Sequence, residues 1–182
     1  MNQFERDLER FIAGNMDRRT KFHFGYPSAE LRRAGVPPYP LMLNQSVIRK
    51  ILDKHELSVA QLIQVQAALN TPIMIFKSAV VPDAKLLLTQ IVVNEKSVVL
   101  AIHPGGKMGH KAIVSEVKSV HPRPTEHVLM WMEKGLLLAA DKQRSQQWLE
   151  DRSRYNSGRY LAIAGQVKSL TFKSQSQGGM KL

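Results

Sequence analysis

The chain carries six histidines, His23, His55, His103, His110, His121 and His127, and no cysteine. Imidazole is the side chain whose proton moves near neutral pH. The absence of cysteine excludes disulfides, thiolate zinc sites and thiol nucleophiles. Three of the histidines fall in one stretch with Gly105, Gly106 and Gly109 and with Lys107, Lys111, Lys118 and Arg123. Imidazoles among cations are what metal-independent RNA cleavage requires: a base for the 2′-hydroxyl, an acid for the leaving 5′-oxygen, and positive charge where the phosphate gains negative charge. The sequence therefore offers His121 and His110 as acid and base, Ser119 as an orienting hydroxyl, and Lys107, Lys111 and Arg123 on phosphate, with His103 and Lys118 lining the same basic cleft. Lys77, beside Ser78, is a second-tier phosphate contact.

Other chemistries lack their spacing. There is no HExxH pair, and carboxylates are scarce around the histidines, so no metal or other cofactor is expected. The glycines match neither GxxxxGK[ST] nor GxGxxG, and no GxSxG elbow is present. Lys54-His55 stands at a predicted helix end, where the helix dipole favours a cation, so capping is preferred over a role in the site. Trp131 and Trp148 are expected as core anchors.

Composition points to a polyanion, which charge alone does not name. The 182 residues hold 26 Lys and Arg against 15 Asp and Glu, a formal charge of +11, and such a field attracts polyanions. Nucleic acid is the expected partner, with RNA favoured. At 43% hydrophobic residues the chain can bury a core. No apolar run approaches the roughly 20 residues of a membrane span, and residues 1–10 lack an apolar signal core. The expectation is a cytoplasmic protein with no membrane partner.

The elements that must position these groups follow from periodicity. Phe4, Leu8, Phe11 and Ile12 predict a short amphipathic helix, followed by a basic arm in which Arg18, Arg19 and Lys21 precede Phe22, His23, Phe24 and Tyr26. Those aromatics could stack bases or dock the arm. Ser28 caps a predicted helix that ends at Gly35. Helices over 45–55 and from Ser58 onward come before the sheet. Short strands are expected at 73–76, 85–93, 97–103 and 111–121, the middle two a hairpin and the last linked through a glycine-rich connection and carrying a bulge. Thr125 caps a helix to Lys134, Leu136 to Ala139 return as an edge strand, and Asp141 to Arg152 is helix-prone. The fold class expected is α+β: N-terminal helices, then a mainly antiparallel sheet of four to five strands with one late helix. Residues 1–22 form an N-terminal helix and arm, 23–150 the domain, and 151–182 a basic, partly disordered tail.

From Phe24 to Leu149 the chain resembles the C-terminal domain of phage Mu F-like proteins of mobile elements. The resemblance rests on Gly25, Pro27-Ser28, Leu31 and Ala34-Gly35-Val36-Pro37; Lys54-His55 and Leu57-Ser58; Asn70, Pro72-Ile73 and Phe76-Lys77-Ser78; Ser119-Val120; and Trp131, Gly135 to Leu138, Asp141-Lys142 and Trp148-Leu149. It departs from the family pattern at His121-Pro122-Arg123 and at Ala139, each where a tyrosine is expected. The resemblance implies kinship with the barnase, EndoU, colicin and RelE-like nucleases, hence a ribonuclease-like toxin or effector, with a neutralising or host protein as a further partner. Its alternatives are a non-catalytic module that binds nucleic acid or protein, and an inhibitor that blocks a host complex.

Overall fold

The computed structural model describes residues 1–110, 112–152 and Gly165. Asn2 and Glu5 form a capping box that starts α1 (Gln3–Ile12) and satisfies two backbone donors at its N-terminus. A short strand β1 (Phe22–Gly25), helix α2 (Ala29–Arg33) and strand β2 (Leu41–Leu43) follow, then α3 (Gln45–Lys54) and α4 (Val59–Ala68), the latter started by a second capping box, Ser58 with Gln61. The remaining order is β3 (Met74–Lys77), β4 (Lys85–Val93), β5 (Lys96–Met108), β6 (Ala112–Arg123), α5 (Thr125–Glu133), β7 (Leu137–Ala140) and α6 (Lys142–Glu150).

The seven strands form one sheet in the order β1-β2-β6-β5-β4-β3-β7. All neighbours are antiparallel except β2 and β6, which run parallel over Leu41 to Leu43 and Ser115 to Val117. The sheet is thus mixed and larger than the four to five mainly antiparallel strands expected. Two of the additional strands, β1 and β2, are four and three residues long, too short to show a period, and β1 carries Phe22 and Phe24. Both rings are fully buried, within 5.9 and 4.9 Å of Phe4, so they dock the N-terminal segment and present no face to a base.

Alternation along the strands separates two cores. Ile75, Leu87, Val98 and Leu100 join Ile48, Ile51, Leu62 and Val65 of α3 and α4 in one cluster. Met74, Phe76, Leu88 and Val99 meet Val128, Met132 and Trp148 of α5 and α6 in the other. Helices therefore cover both faces. Trp148 and Trp131 act as anchors: the Trp148 Nε1–H donates to Ser97 Oγ at 2.9 Å, and Trp131 meets Phe76 edge-on at 5.5 Å.

Three further expectations change. The β4–β5 hairpin turns on two residues, Asn94 and Glu95, both at positive φ, the conformation that matches strand twist in tight hairpins. The glycine-rich stretch is not a connection but the end of β5, and the turn falls at Gly109 and His110. Pro124, not Thr125, occupies the N-cap position of α5. A bulge in the last long strand is present: the β5–β6 register shifts between Ala101 and Ile102 and again between His103 and Gly106. Most of the tail lies outside the described residues. Among the described residues, no helix is long and apolar enough to cross a membrane.

Candidate functional site

Helix α3 buries Ile48 and Ile51, so Lys50 and Lys54, four residues apart, share its exposed side. The helix ends where Glu56 takes a left-handed φ of 56°. His55 is left at the C-cap, its N–H bonded to the Lys50 carbonyl at 3.2 Å. On the sheet, β2 flanks β6 only as far as Val117. From Lys118 to Arg123, β6 therefore has β5 on one side and, among the described residues, no strand on the other. At that open margin the His121 ring lies 5.2 Å from the His55 ring, with 31° between their planes.

The charges that act on this pair are basic groups. Burial, with Arg123, His55 and Lys50 adding to it, pushes the His121 imidazole down to about 4. Burial also lowers His55, followed by Lys50, Arg123 and Lys54. No carboxylate opposes either shift. His121 Nδ1 and Arg123 Nε are buried with no hydrogen-bond partner, a cost of about 1–3 kcal/mol for each group.

The other candidates lie elsewhere. His110 is exposed in the turn after β5, and the strand from Ala112 to His121 spans about 30 Å at ~3.3 Å per residue. The geometry does not join His110 to His121, because that hairpin is one long ribbon rather than a loop folding back. Lys107 is at the same tip, and Lys111 lies outside the described residues. Ser119 pairs with Ala101 on the path to His121. Lys77 ends β3, three strand spacings from β6, or about 14 Å, and Ser78 Oγ accepts from the N–H groups of Val80 and Val81, a turn role.

His103 belongs to a second group. It faces Glu116 across the β5–β6 register, and Glu116 is bound by Lys118 and, at 3.1 Å, by Lys21. Those bonds, the Lys118 one first, hold Glu116 below the usual carboxylate range against its burial. Burial and Lys118 lower His103 while Glu116 opposes them. A Cβ at Gly106 would sit 2.7 Å from Glu116 Cγ. Gly106→Ala is therefore expected to cost about 1–3 kcal/mol by overpacking. Urea unfolding should show the cost shrinking in a Glu116→Ala background, because the two sites couple.

A family model, Phage MuF-C-terminal domain, matches residues 46–147. The chain belongs to the phage MuF C-terminal domain family. The MuF match runs from α3 into α6, so Lys50, Lys54, His55, His121 and Arg123 all fall within the family's domain. Searches of curated proteins and of solved structures return no match. The residue missed from sequence is Lys50, while Lys54 and His55 are read there as a helix cap. Its signal was a helix whose last turns carry three basic side chains and no acid but Asp53.

Proposed function

We propose that this MuF C-terminal domain is a nuclease-like domain that holds a phosphodiester of RNA at the His55–His121 cluster and cleaves it without a metal. The observation that carries the proposal is two adjacent imidazoles ringed by Lys50, Lys54 and Arg123, with no carboxylate contributing to the field of either ring. His121, more strongly depressed, is the base: neutral at physiological pH, it takes the 2′-hydroxyl proton as that oxygen attacks phosphorus. His55 is the acid, giving a proton to the 5′-oxygen as the P–O bond breaks. The products are a 2′,3′-cyclic phosphate and a 5′-hydroxyl. Arg123 and the two lysines offset the charge that builds on the phosphate oxygens. This chemistry is what kinship with the barnase, EndoU, colicin and RelE-like nucleases would lead one to look for. In a mobile element it would serve as a toxin or effector held by a neutralising partner.

One observation favours a binding module instead: both imidazoles are depressed, so the unliganded cluster holds little acid at neutral pH. Incubation of labelled single-stranded RNA in EDTA with wild type, His55→Ala and His121→Ala separates the two. Cleavage to a cyclic phosphate, lost in both variants, is expected. RNA retained by all three proteins without cleavage would leave the module.

A further inference from the structure

We infer that the end of the β5–β6 hairpin and the basic segment ahead of β1 form a second surface, which carries the phosphates of a single-stranded polynucleotide away from the His55–His121 cluster. The inference rests on the reading that the cluster takes a phosphodiester, and adds that the substrate is a polymer gripped well beyond the reacting bond.

The hairpin outgrows the sheet. Strand β4 pairs with β5 only up to Ile102, and β2 pairs with β6 only over Ser115 to Val117. Gly106 to Met108 opposite Ala112 to Val114 is therefore a ribbon two strands wide. Such a ribbon is marginal by itself, and this one contributes little to either core: Lys107 and His110 are exposed, as are Met108 at 43% and Ile113 at 50%.

What holds the ribbon is the N-terminal segment. Lys21 Nζ donates to the Lys107 carbonyl at 3.3 Å and to Glu116 Oε1 at 3.1 Å. Arg18 and Arg19, three and two residues ahead of the tied Lys21, are exposed, as is Lys107. The acids of the segment and ribbon, Asp17 and Glu116, are both engaged: Asp17 Oδ1 accepts the Arg19 backbone N–H at 2.8 Å, and Glu116 sits between Lys21 and Lys118. The outward side chains include the cations Arg18, Arg19 and Lys107 beside His110, Met108 and Ile113, and the ribbon carries Gly105 and Gly109, where backbone can approach a ligand closely.

Spaced cations suit a phosphate backbone, and contacts to phosphate do not read bases. Strand β6 runs unbroken from this ribbon to His121 and Arg123, about 30 Å, which lies within the several-nucleotide footprint of single-strand binders.

The test is fluorescence anisotropy with single-stranded RNA and DNA of about 20 nucleotides, over a range of salt, comparing wild type with Arg18→Gln/Arg19→Gln/Lys107→Gln. All three side chains are exposed, so the variant should keep its melting temperature. Losing three phosphate contacts should lower the slope of log K against log[salt] by about 2 and weaken binding at low salt by roughly 10- to 100-fold, alike for RNA and DNA. Cleavage of a dinucleoside monophosphate, too short to reach the ribbon, should be unchanged. An unaltered slope and affinity in the triple variant would overturn the surface, as would wild type binding polyglutamate as tightly as RNA. If the dinucleotide is not cut while long strands still depend on the three cations, the catalytic reading falls and the surface stands.

Discussion

The kcat/KM for dinucleoside monophosphate cleavage is expected to peak on the acid side of neutrality, between pH 4 and 6.5, with limbs set by two histidines. The signs follow from the roles. The base must be deprotonated, so activity rises as pH climbs through the His121 value of about 4. The acid must be protonated, so activity falls about tenfold per unit once pH passes the His55 value, which burial and three cations hold below its usual 6.5. Because kcat/KM reports the free enzyme and kcat the complex, the kcat profile should move to higher pH: a bound phosphate's negative charge favours both imidazolium forms. His121→Ala should lose about 100- to 10,000-fold together with the acid limb, and His55→Ala a comparable factor with the alkaline limb. A kcat/KM optimum above pH 7 would overturn the assignment of roles.

Half of this cluster was legible in the sequence. His121 and Arg123 could be singled out because they sit at the end of a readable strand, among cations and away from carboxylates. The partner could not, because proximity in the chain is a poor guide once a sheet intervenes. His110 is nearer in sequence than His55, yet an extended strand separates His110 from His121, while the end of α3 comes to the open margin of β6. Lys54-His55 looked like a helix cap, and it is one; the cap position also carries the ring to His121.

The same logic explains the sheet. Strands β3 to β6 were legible from apolar runs and turns, and helices α1 to α4 from their spacing and caps. Strand β2, Leu41-Met42-Leu43, follows three prolines and is buried at all three positions, so it shows no alternation to read. Gly105, Gly106 and Gly109 looked like a loop because glycine is rare within strands. At Gly106 the absence of a Cβ leaves room for Glu116, which is a demand of packing and not of a turn.

The family match begins at residue 46, yet the structure builds the preceding residues into the same core, and this leads to a large expected effect on stability. Phe22, Phe24, Leu41 and Leu43 are all fully buried in the cluster that holds α3 and α4. Phe24 makes the closest ring contact of the segment, 4.9 Å and nearly perpendicular to Phe4 of α1. Phe24→Ala should therefore cost about 3–5 kcal/mol, read as a lowered urea midpoint with an unchanged slope. Strand β2 touches β6 only at Ser115 to Val117, whereas His121 and Arg123 lie beyond that contact against the end of α3. Below the new midpoint, the pH optimum for dinucleotide cleavage should consequently stay where it is in wild type. A loss of stability under about 1 kcal/mol, an ordinary surface effect, would mean that the N-terminal segment rests on the domain without being part of it. A shifted optimum at unchanged folded fraction would mean that β1 and β2 also set the electrostatics of the His55–His121 pair.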